Sequence, residues 1–311
     1  MTKLELGENT ERLTVKDNGF EGMYIPGTIS PDKVIIATGG SFCNEEVSLL
    51  MCRYIRKAGY TVLLLGYYMW EGLQKDLVSI PVDFAEKAVK WLKEVKKPKG
   101  IAITGASTGA AYSLLAASLI PDINCVVAIV PYDYVPEGTT KRGLHFKVTN
   151  KSQYTWHGED LPFMPFEVLK NGMLHWYKLM KKTPGYNLRR ASRFGYDEME
   201  KNLKPEARIK VENMHAEVLV LGVKDDDAWP SDVAVPRIVR ILKEANYPYR
   251  VESHVYEKAS HALMDGIDEM KGYPKWALKN KYAEKKYPKE CEKARQDCFK
   301  RVLKFFEEWK V

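Results

Sequence analysis

The stretch that decides the fold is residues 101–110, Ile101-Ala102-Ile103-Thr104-Gly105-Ala106-Ser107-Thr108-Gly109-Ala110. An apolar run leads into the pattern G-x-S-x-G, and a helix-like run follows it. This order predicts a strand, a tight turn and a helix, with the Ser107 hydroxyl at the carboxyl end of a parallel sheet. A plain strand-to-helix turn would share the pattern, so the rest of the chain must supply the partners that a serine nucleophile needs.

Further apolar runs alternate with helical patterns through the first half of the chain. Strand-like runs occupy residues 34–37, 62–65 and 126–130, and glycine or proline follows each of them closely. This alternation predicts an α/β fold with a mostly parallel sheet and helices on both faces. Near the end of the chain, one apolar stripe predicts a docked helix; it consists of Cys291, Ala294, Cys298, Val302, Phe305 and Phe306.

The alternation breaks between residues 137 and 214. This segment is rich in aromatic residues, methionine and lysine and shows no clear strand, after which residues 218–221 restart the sheet. We interpret the chain as one domain, residues 1–311, in which residues 137–214 form a helical insertion, or lid, over the carboxyl ends of the strands. Its apolar side chains either line a pocket or form a small core of their own; they are Trp156, Phe163, Met164, Phe166, Met173, Trp176 and Met180.

Three carboxylates follow the strand at 218–221, where an acid that orients a catalytic base would lie. We favour Asp226, because its spacing to Trp229 and Pro230 places a helix start directly after the loop. Asp225 satisfies an alternative count from the strand end and stays open. We expect Asp227 to face solvent or to cap the helix.

The base has six candidates, which are His145, His157, His175, His215, His254 and His261. His261 comes soon after the last predicted strand, near residues 250–256, where a loop can reach back to the serine. His254 falls inside that strand, and the histidines of the insertion precede the acid. We therefore predict that His261 is the base, against the alternative of an exposed loop histidine.

Attack by serine on an acyl carbon creates an oxyanion, which needs backbone N–H donors held in place beforehand. We expect one donor at Thr108, directly after the nucleophile, and the second at Ser41 in the loop after residues 34–37. Gly40 and Phe42 are alternatives for the second donor. The alternative interpretation is that the glycines of this loop have no catalytic role and only permit a tight turn before a helix that Asn44 caps.

The composition is that of an ordinary globular protein: 311 residues, 45% of them apolar, with a formal net charge of +7. Five scattered cysteines show no metal-ligand spacing and suit reduced thiols. No run approaches the roughly 18 apolar residues that span a bilayer. We expect a soluble cytoplasmic protein that acts on a small molecule, with no metal ion, no cofactor and no nucleic-acid or membrane partner. The oligomeric state stays open.

Several motifs together resemble the carboxy-terminal domain of bile acid-CoA:amino acid N-acyltransferase and the type I acyl-CoA thioesterases, a family similar to dienelactone hydrolase. The resemblance covers roughly residues 20 to 310 and is most specific at residues 154–166, Tyr-Thr-Trp-His-Gly-Glu-Asp-Leu-Pro-Phe-Met-Pro-Phe. The other matching segments are residues 39–41, 105–109, 226–231 and 260–263.

The resemblance implies an α/β-hydrolase fold, a triad of Ser107, Asp226 and His261, and hydrolysis of an acyl-CoA thioester through an acyl-serine, with a role in fatty acid metabolism. A carboxylesterase resembling dienelactone hydrolase, an acyl-CoA:amino acid N-acyltransferase and a binding protein without catalysis are the alternatives. Acyl-transferring members use cysteine where this chain has serine, which favours hydrolysis.

The phosphates of coenzyme A would require a basic cluster near the mouth of the site. Candidates in the insertion are Arg189, Arg190 and Arg193, because guanidinium groups match phosphate geometry. A solvated basic face is the interpretation that we favour for these residues.

Overall fold

A central sheet organises the chain. The computed structural model describes residues 9–41, 43–142, 145–265 and 281–311. The strands of these residues are β1 (Glu11–Leu13), β2 (Glu21–Ile25), β3 (Lys33–Thr38), β4 (Thr61–Gly66), β5 (Ile80–Pro81), β6 (Gly100–Ala106), β7 (Cys125–Ile129), β8 (Glu137–Arg142), β9 (His145–Ser152), β10 (Tyr154–Trp156), β11 (Glu159–Asp160), β12 (Glu217–Val223) and β13 (Val251–Tyr256).

The main sheet has eight strands in the order β1-β2-β4-β3-β6-β7-β12-β13. Parallel pairing joins six neighbouring strands of this sheet, which are β4, β3, β6, β7, β12 and β13. At one edge, β1 and β2 pair antiparallel with their neighbours. The predicted α/β fold with a mostly parallel sheet is therefore confirmed. The loops after β3, β6, β12 and β13 all leave the same edge of the sheet, because parallel strands end on one side.

The helices of the described residues flank the main sheet or lie in the insertion. They are α1 (Val15–Asn18), α2 (Glu45–Met51), α3 (Arg53–Lys57), α4 (Asp83–Trp91), α5 (Thr108–Leu119), α6 (Glu167–Lys170), α7 (Met173–Lys182), α8 (Ala191–Met199), α9 (Ser231–Glu244), α10 (Tyr282–Lys286) and α11 (Pro288–Glu308). Asn44 caps α2 as predicted, accepting a hydrogen bond from the backbone N–H of Val47. No helix in the described part of the chain is long and apolar enough to cross a membrane.

Two apolar cores lie on opposite faces of the sheet, because successive strand residues point to opposite sides. In β3, Val34 and Ile36 belong to one core, whereas Ile35 and Ala37 belong to the other. The predicted stripe of α11 is buried in the second core.

The segment from 137 to 214 lies between β7 and β12. It contains α6, α7 and α8, but it begins with an antiparallel hairpin of β8 and β9, where the sequence showed no clear strand. The hairpin was missed because β8 reads Glu-Gly-Thr-Thr-Lys-Arg and has no apolar run.

Candidate active site

Ser107 occupies a strained turn between β6 and α5. Its φ is 59° and its ψ is −126°, a conformation that residues other than glycine rarely adopt. The turn is also crowded, since a Cβ on Gly109 would lie 2.3 Å from the Gly39 carbonyl oxygen. Because Gly109 has no side chain, the backbone of the turn lies directly against the backbone of the loop after β3, as a nucleophile elbow requires.

His261 reaches Ser107 from the loop after β13. Its Nε2 lies 2.8 Å from Ser107 Oγ, and both side chains are buried. The ring of Trp229 packs edge-on against the imidazole with 5.7 Å between ring centres. These two contacts hold the imidazole within hydrogen-bonding distance of the serine hydroxyl.

Asp226, in the loop after β12, holds the other side of the imidazole. His261 Nδ1 lies 2.8 and 3.0 Å from the two carboxylate oxygens of Asp226, which is fully buried. The carboxylate also accepts hydrogen bonds from Ser231 Oγ at 2.6 Å and from the backbone N–H groups of Ala228 and Trp229. These bonds fix one orientation of the carboxylate, and with it the tautomer of His261 that carries its proton on Nδ1.

The Asp226 carboxyl keeps its charge despite burial. Burial alone raises its pKa, but the nearby His261 and the hydrogen bonds from Ser231 and Ala228 outweigh burial and hold the pKa below the ordinary value. Because the folded-state pKa is lowered, the ionised group stabilises the fold above its ordinary pKa. That stabilisation is lost as the pH falls through the folded-state value.

The neighbouring carboxylates differ from Asp226. Asp225 is half-buried and shows no contact with His261 among the described residues. The expectation that Asp227 faces solvent or caps the helix is wrong, because it is buried and pairs with Lys281 at 2.9 Å. The loop turns Asp227 inward toward a cation of the segment before α10.

The two expected oxyanion donors lie next to each other. Thr108 is the first residue of α5, so its N–H is among those that a helix leaves unpaired. The hydroxyls of Ser41 and Thr108 are hydrogen-bonded to each other. Tyr67 Oη donates to the Gly39 carbonyl at 2.8 Å, which holds the loop after β3 in place. Of the alternatives, Gly40 adjoins the site, since a Cβ there would lie 3.6 Å from Ser107 Cβ, and Phe42 lies outside the described residues.

Arg193 is placed neither to bind phosphate nor on a solvated basic face, which corrects both sequence-based interpretations of this residue. Its side chain is buried in α8 and pairs with Asp197 at 2.7 Å and Asp232 at 2.9 Å. Its Nη1 also donates to the Asp226 carbonyl at 3.2 Å, and its backbone N–H donates to the Asp227 carbonyl. Arg193 therefore clamps the insertion to the loop that carries the acid.

We expect Arg193→Met to destabilise the protein by about 2–3 kcal/mol, because Asp197 and Asp232 lose their cation while remaining about one-fifth exposed. We also expect a lower kcat, because the Asp226 carbonyl loses a donor. Urea unfolding and ester hydrolysis measure the two effects. Arg193→Lys keeps the charge without the planar fork and serves as the control. Unchanged unfolding and unchanged kcat in Arg193→Met would contradict the clamp.

The loop that carries His261 is also held by the residue before it, through a contact that the sequence did not predict. Ser260 Oγ donates to the buried Glu284 of α10 at 2.5 Å, and Glu284 also pairs with Arg295 of α11. The signal for this anchor was weak, because only tertiary contacts distinguish Glu284 from the other charged residues near the carboxyl terminus.

The apolar residues of the insertion divide between two environments. Trp176 and Met180 form a small separate core with Phe194, as the second interpretation of these residues predicts. Met164 and Phe166 join the main core on one face of the sheet.

One group of side chains brings metal-type ligands together in the described residues. Asp83, Glu86 and His157 have ligand atoms within 4.8 Å of one another. The backbone N–H of His157 donates to the Asp83 carboxylate, and its ring contacts Glu86 at 3.1 Å. These bonds account for the proximity of the three groups.

The family model described as BAAT / acyl-CoA thioester hydrolase C terminal matches residues 80–266. This chain belongs to that family. The match spans Ser107, Asp226 and His261, and it confirms the family that the sequence motifs indicated.

Two curated relatives illustrate the family. The chain is 29% identical over 131 residues to the mitochondrial acyl-coenzyme A thioesterase 2 of Rattus norvegicus, covering 40% of this chain and 28% of the relative. It is 37% identical over 106 residues to the peroxisomal succinyl-coenzyme A thioesterase of Mus musculus, covering 33% and 23%. The chain therefore spans less than a third of the length of these relatives.

Two solved structures illustrate the fold that this chain shares with other proteins. A structure described as a dienelactone hydrolase from Klebsiella pneumoniae has a TM-score of 0.54 at 14% identity and covers 96% of this chain and 98% of its own. An acylaminoacyl peptidase of Pyrococcus horikoshii has a TM-score of 0.54 at 16% identity and covers 98% and 42%. At these identities the likeness concerns the α/β-hydrolase fold.

Proposed function

We propose that this protein hydrolyses acyl-coenzyme A thioesters, with Ser107 as the nucleophile, His261 as the base and Asp226 as the acid that orients the base. The supporting observation is the buried chain of hydrogen bonds from Ser107 Oγ through the imidazole of His261 to the Asp226 carboxylate. It lies in a chain whose family includes acyl-CoA thioester hydrolases.

Acylation follows from this geometry. Ser107 Oγ attacks the thioester carbonyl carbon while His261 Nε2 takes the hydroxyl proton. The carbonyl oxygen becomes negative and accepts hydrogen bonds from the backbone N–H groups of Thr108 and Ser41. The C–S bond then breaks, and His261 returns the proton to the departing sulfur, leaving an acyl-serine.

Deacylation repeats these steps with water. His261 takes a proton from a water molecule that attacks the acyl-serine carbonyl, and the Ser107 oxygen leaves with the proton that His261 returns. The products are a free acid and the original enzyme. Asp226 stays ionised throughout and stabilises the imidazolium that forms in each half-reaction.

We also propose that residues 137–214 act as a lid within a single domain. Two contacts support this role: Arg193 of α8 bonds to the acid loop, and Tyr154 Oη of β10 donates to the Thr108 carbonyl at 3.3 Å. Both link the insertion to the backbone of proposed catalytic residues.

The proposed setting is the cytoplasm, in fatty acid metabolism. All five cysteines are buried and unpaired, as is usual in a reducing compartment.

A panel of acyl-CoA thioesters of increasing chain length tests the proposed function. Released thiol and free acid are measured, and kcat/KM is compared with that for oxygen esters of the same acids. We expect the thioesters to be preferred. Preference for small esters would instead indicate a carboxylesterase, and formation of amide when glycine or taurine is added would indicate an N-acyltransferase.

A further inference from the structure

The positive charge of the chain is concentrated in one segment of the insertion. Residues 168–196 contain seven lysines and arginines and no aspartate or glutamate, and the formal net charge of the whole chain is +7. Outside this segment, basic and acidic residues therefore balance. The like charges of this segment repel one another, and binding of an anionic partner would offset that repulsion.

Helix α7 presents much of this charge on one side. At 100° per residue, six residues of α7 fall on one arc, opposite Trp176 and Met180, which are buried. We call this arc the lysine face; its residues are Leu174, His175, Lys178, Leu179, Lys181 and Lys182. All six are exposed, and within the described residues no carboxylate pairs with the three lysines. By contrast, Lys170 pairs with Glu167 and Arg193 is buried.

Exposed leucines accompany the lysines. Leu174 is 68% exposed, Leu188 is 69% exposed, and Leu179 is 36% exposed. Every exposed leucine of the described chain lies in this short stretch. A leucine in water gains free energy when it enters an apolar phase, so cations alone do not explain this surface.

We propose that the lysine face, together with Leu188, docks the protein on the surface of an anionic phospholipid bilayer. The lysines contact the negative headgroups, and the leucines enter the boundary between headgroups and acyl chains. This is peripheral binding and needs no spanning helix. It departs from the sequence-based expectation of no membrane partner, which rested on the absence of a spanning segment.

Helix α7, which carries the lysine face, packs against α8 through a core of Trp176, Met180 and Phe194, and α8 in turn contacts the loop of the proposed catalytic acid. Helix α8 begins nine residues after α7 ends, and Arg193 of α8 bonds to the acid loop. Docking would therefore bring the insertion and the adjoining loop to the bilayer, where acyl chains accumulate. The docking itself requires no catalysis and can be measured in an inactive variant.

Vesicle flotation tests the proposal with the full chain. Vesicles of phosphatidylcholine with phosphatidylserine are compared with vesicles of phosphatidylcholine alone, at low and high salt. We expect binding only to the anionic vesicles, weakened by salt, and equal binding of Ser107→Ala. Each surface cation is worth roughly a five-fold change in partitioning, so K178Q/K181Q/K182Q should lower binding about 100-fold. L174S/L188S should lower it about ten-fold.

The control K243Q/K289Q/K300Q removes the same charge from exposed positions elsewhere and should bind nearly as the wild type does. Turnover of a small neutral ester by K178Q/K181Q/K182Q checks that this variant is folded. Equal losses in both triple variants, or binding without dependence on anionic lipid, would overturn the proposal. So would absence of vesicle binding with a KM for acyl-CoA that rises in K178Q/K181Q/K182Q, since the lysines would then serve the phosphates of the substrate.

Discussion

Replacing Ser107 with alanine is expected to lower kcat by about 10⁵- to 10⁶-fold, because in the proposed mechanism the Ser107 hydroxyl is the nucleophile that forms the acyl-enzyme. The fold should survive, since alanine removes only the oxygen that contacts His261. Steady-state hydrolysis and labelling by a fluorophosphonate measure the effect. Wild type should gain one label and Ser107→Ala none.

Ser118→Ala provides the matched control on the same helix. Within the described part of the chain Ser118 Oγ donates only to the Leu115 carbonyl, so its loss should change kcat by less than about two-fold. The double variant Ser107→Ala/His261→Ala should be no slower than Ser107→Ala, since groups that act as a unit are not additive. A label that persists in Ser107→Ala would show that another residue is the nucleophile.

Replacing Asp226 with asparagine is expected to lower kcat by about 10⁴-fold with little change in KM. Asparagine keeps the shape of the side chain but removes the charge that, in the proposed mechanism, stabilises the imidazolium, and its amide favours the wrong tautomer of His261. The loss is measured as kcat at neutral pH, with circular dichroism to check folding.

Asp225→Asn is the matched control, because it makes the same change one residue earlier in the same loop. We expect its kcat to stay within about two-fold of wild type, since Asp226 is the only carboxylate among the described residues that bonds to His261. The reverse result, an active Asp226→Asn and an inactive Asp225→Asn, would transfer the role of the acid to Asp225.

The positions of β3, β4, β6, β7 and β12 were predictable because each is a short apolar run buried on both faces of the sheet. For β6, β7 and β12 the runs in the sequence coincide with the strands within a few residues. The β8–β9 hairpin was not predictable in this way, because its polar strands carry no such run. The apolar stripe of α11 was read correctly, since helical periodicity survives in a long helix.

The residues of the candidate site also fall into two groups, those that the sequence predicts and those whose role appears only in the tertiary structure. Ser107 and His261 stand out in the sequence because each follows a recognisable strand. The sequence favoured Asp226 but left Asp225 open, because the choice depends on the direction of each side chain and so on how the loop turns. The structure adds Ser231, which donates to the Asp226 carboxylate, and it reassigns Arg193 from phosphate binding to a structural clamp.

By itself, the sequence determined the α/β fold, the strained serine turn and the family, because these depend on local patterns of apolar residues, glycine and short motifs. Only the tertiary structure decided which carboxylate meets His261, how Glu284 and Arg193 support the two loops, and which side of α7 is exposed. The physical reason is that these contacts join residues distant in the chain, whose approach depends on the packing of the whole sheet and its helices.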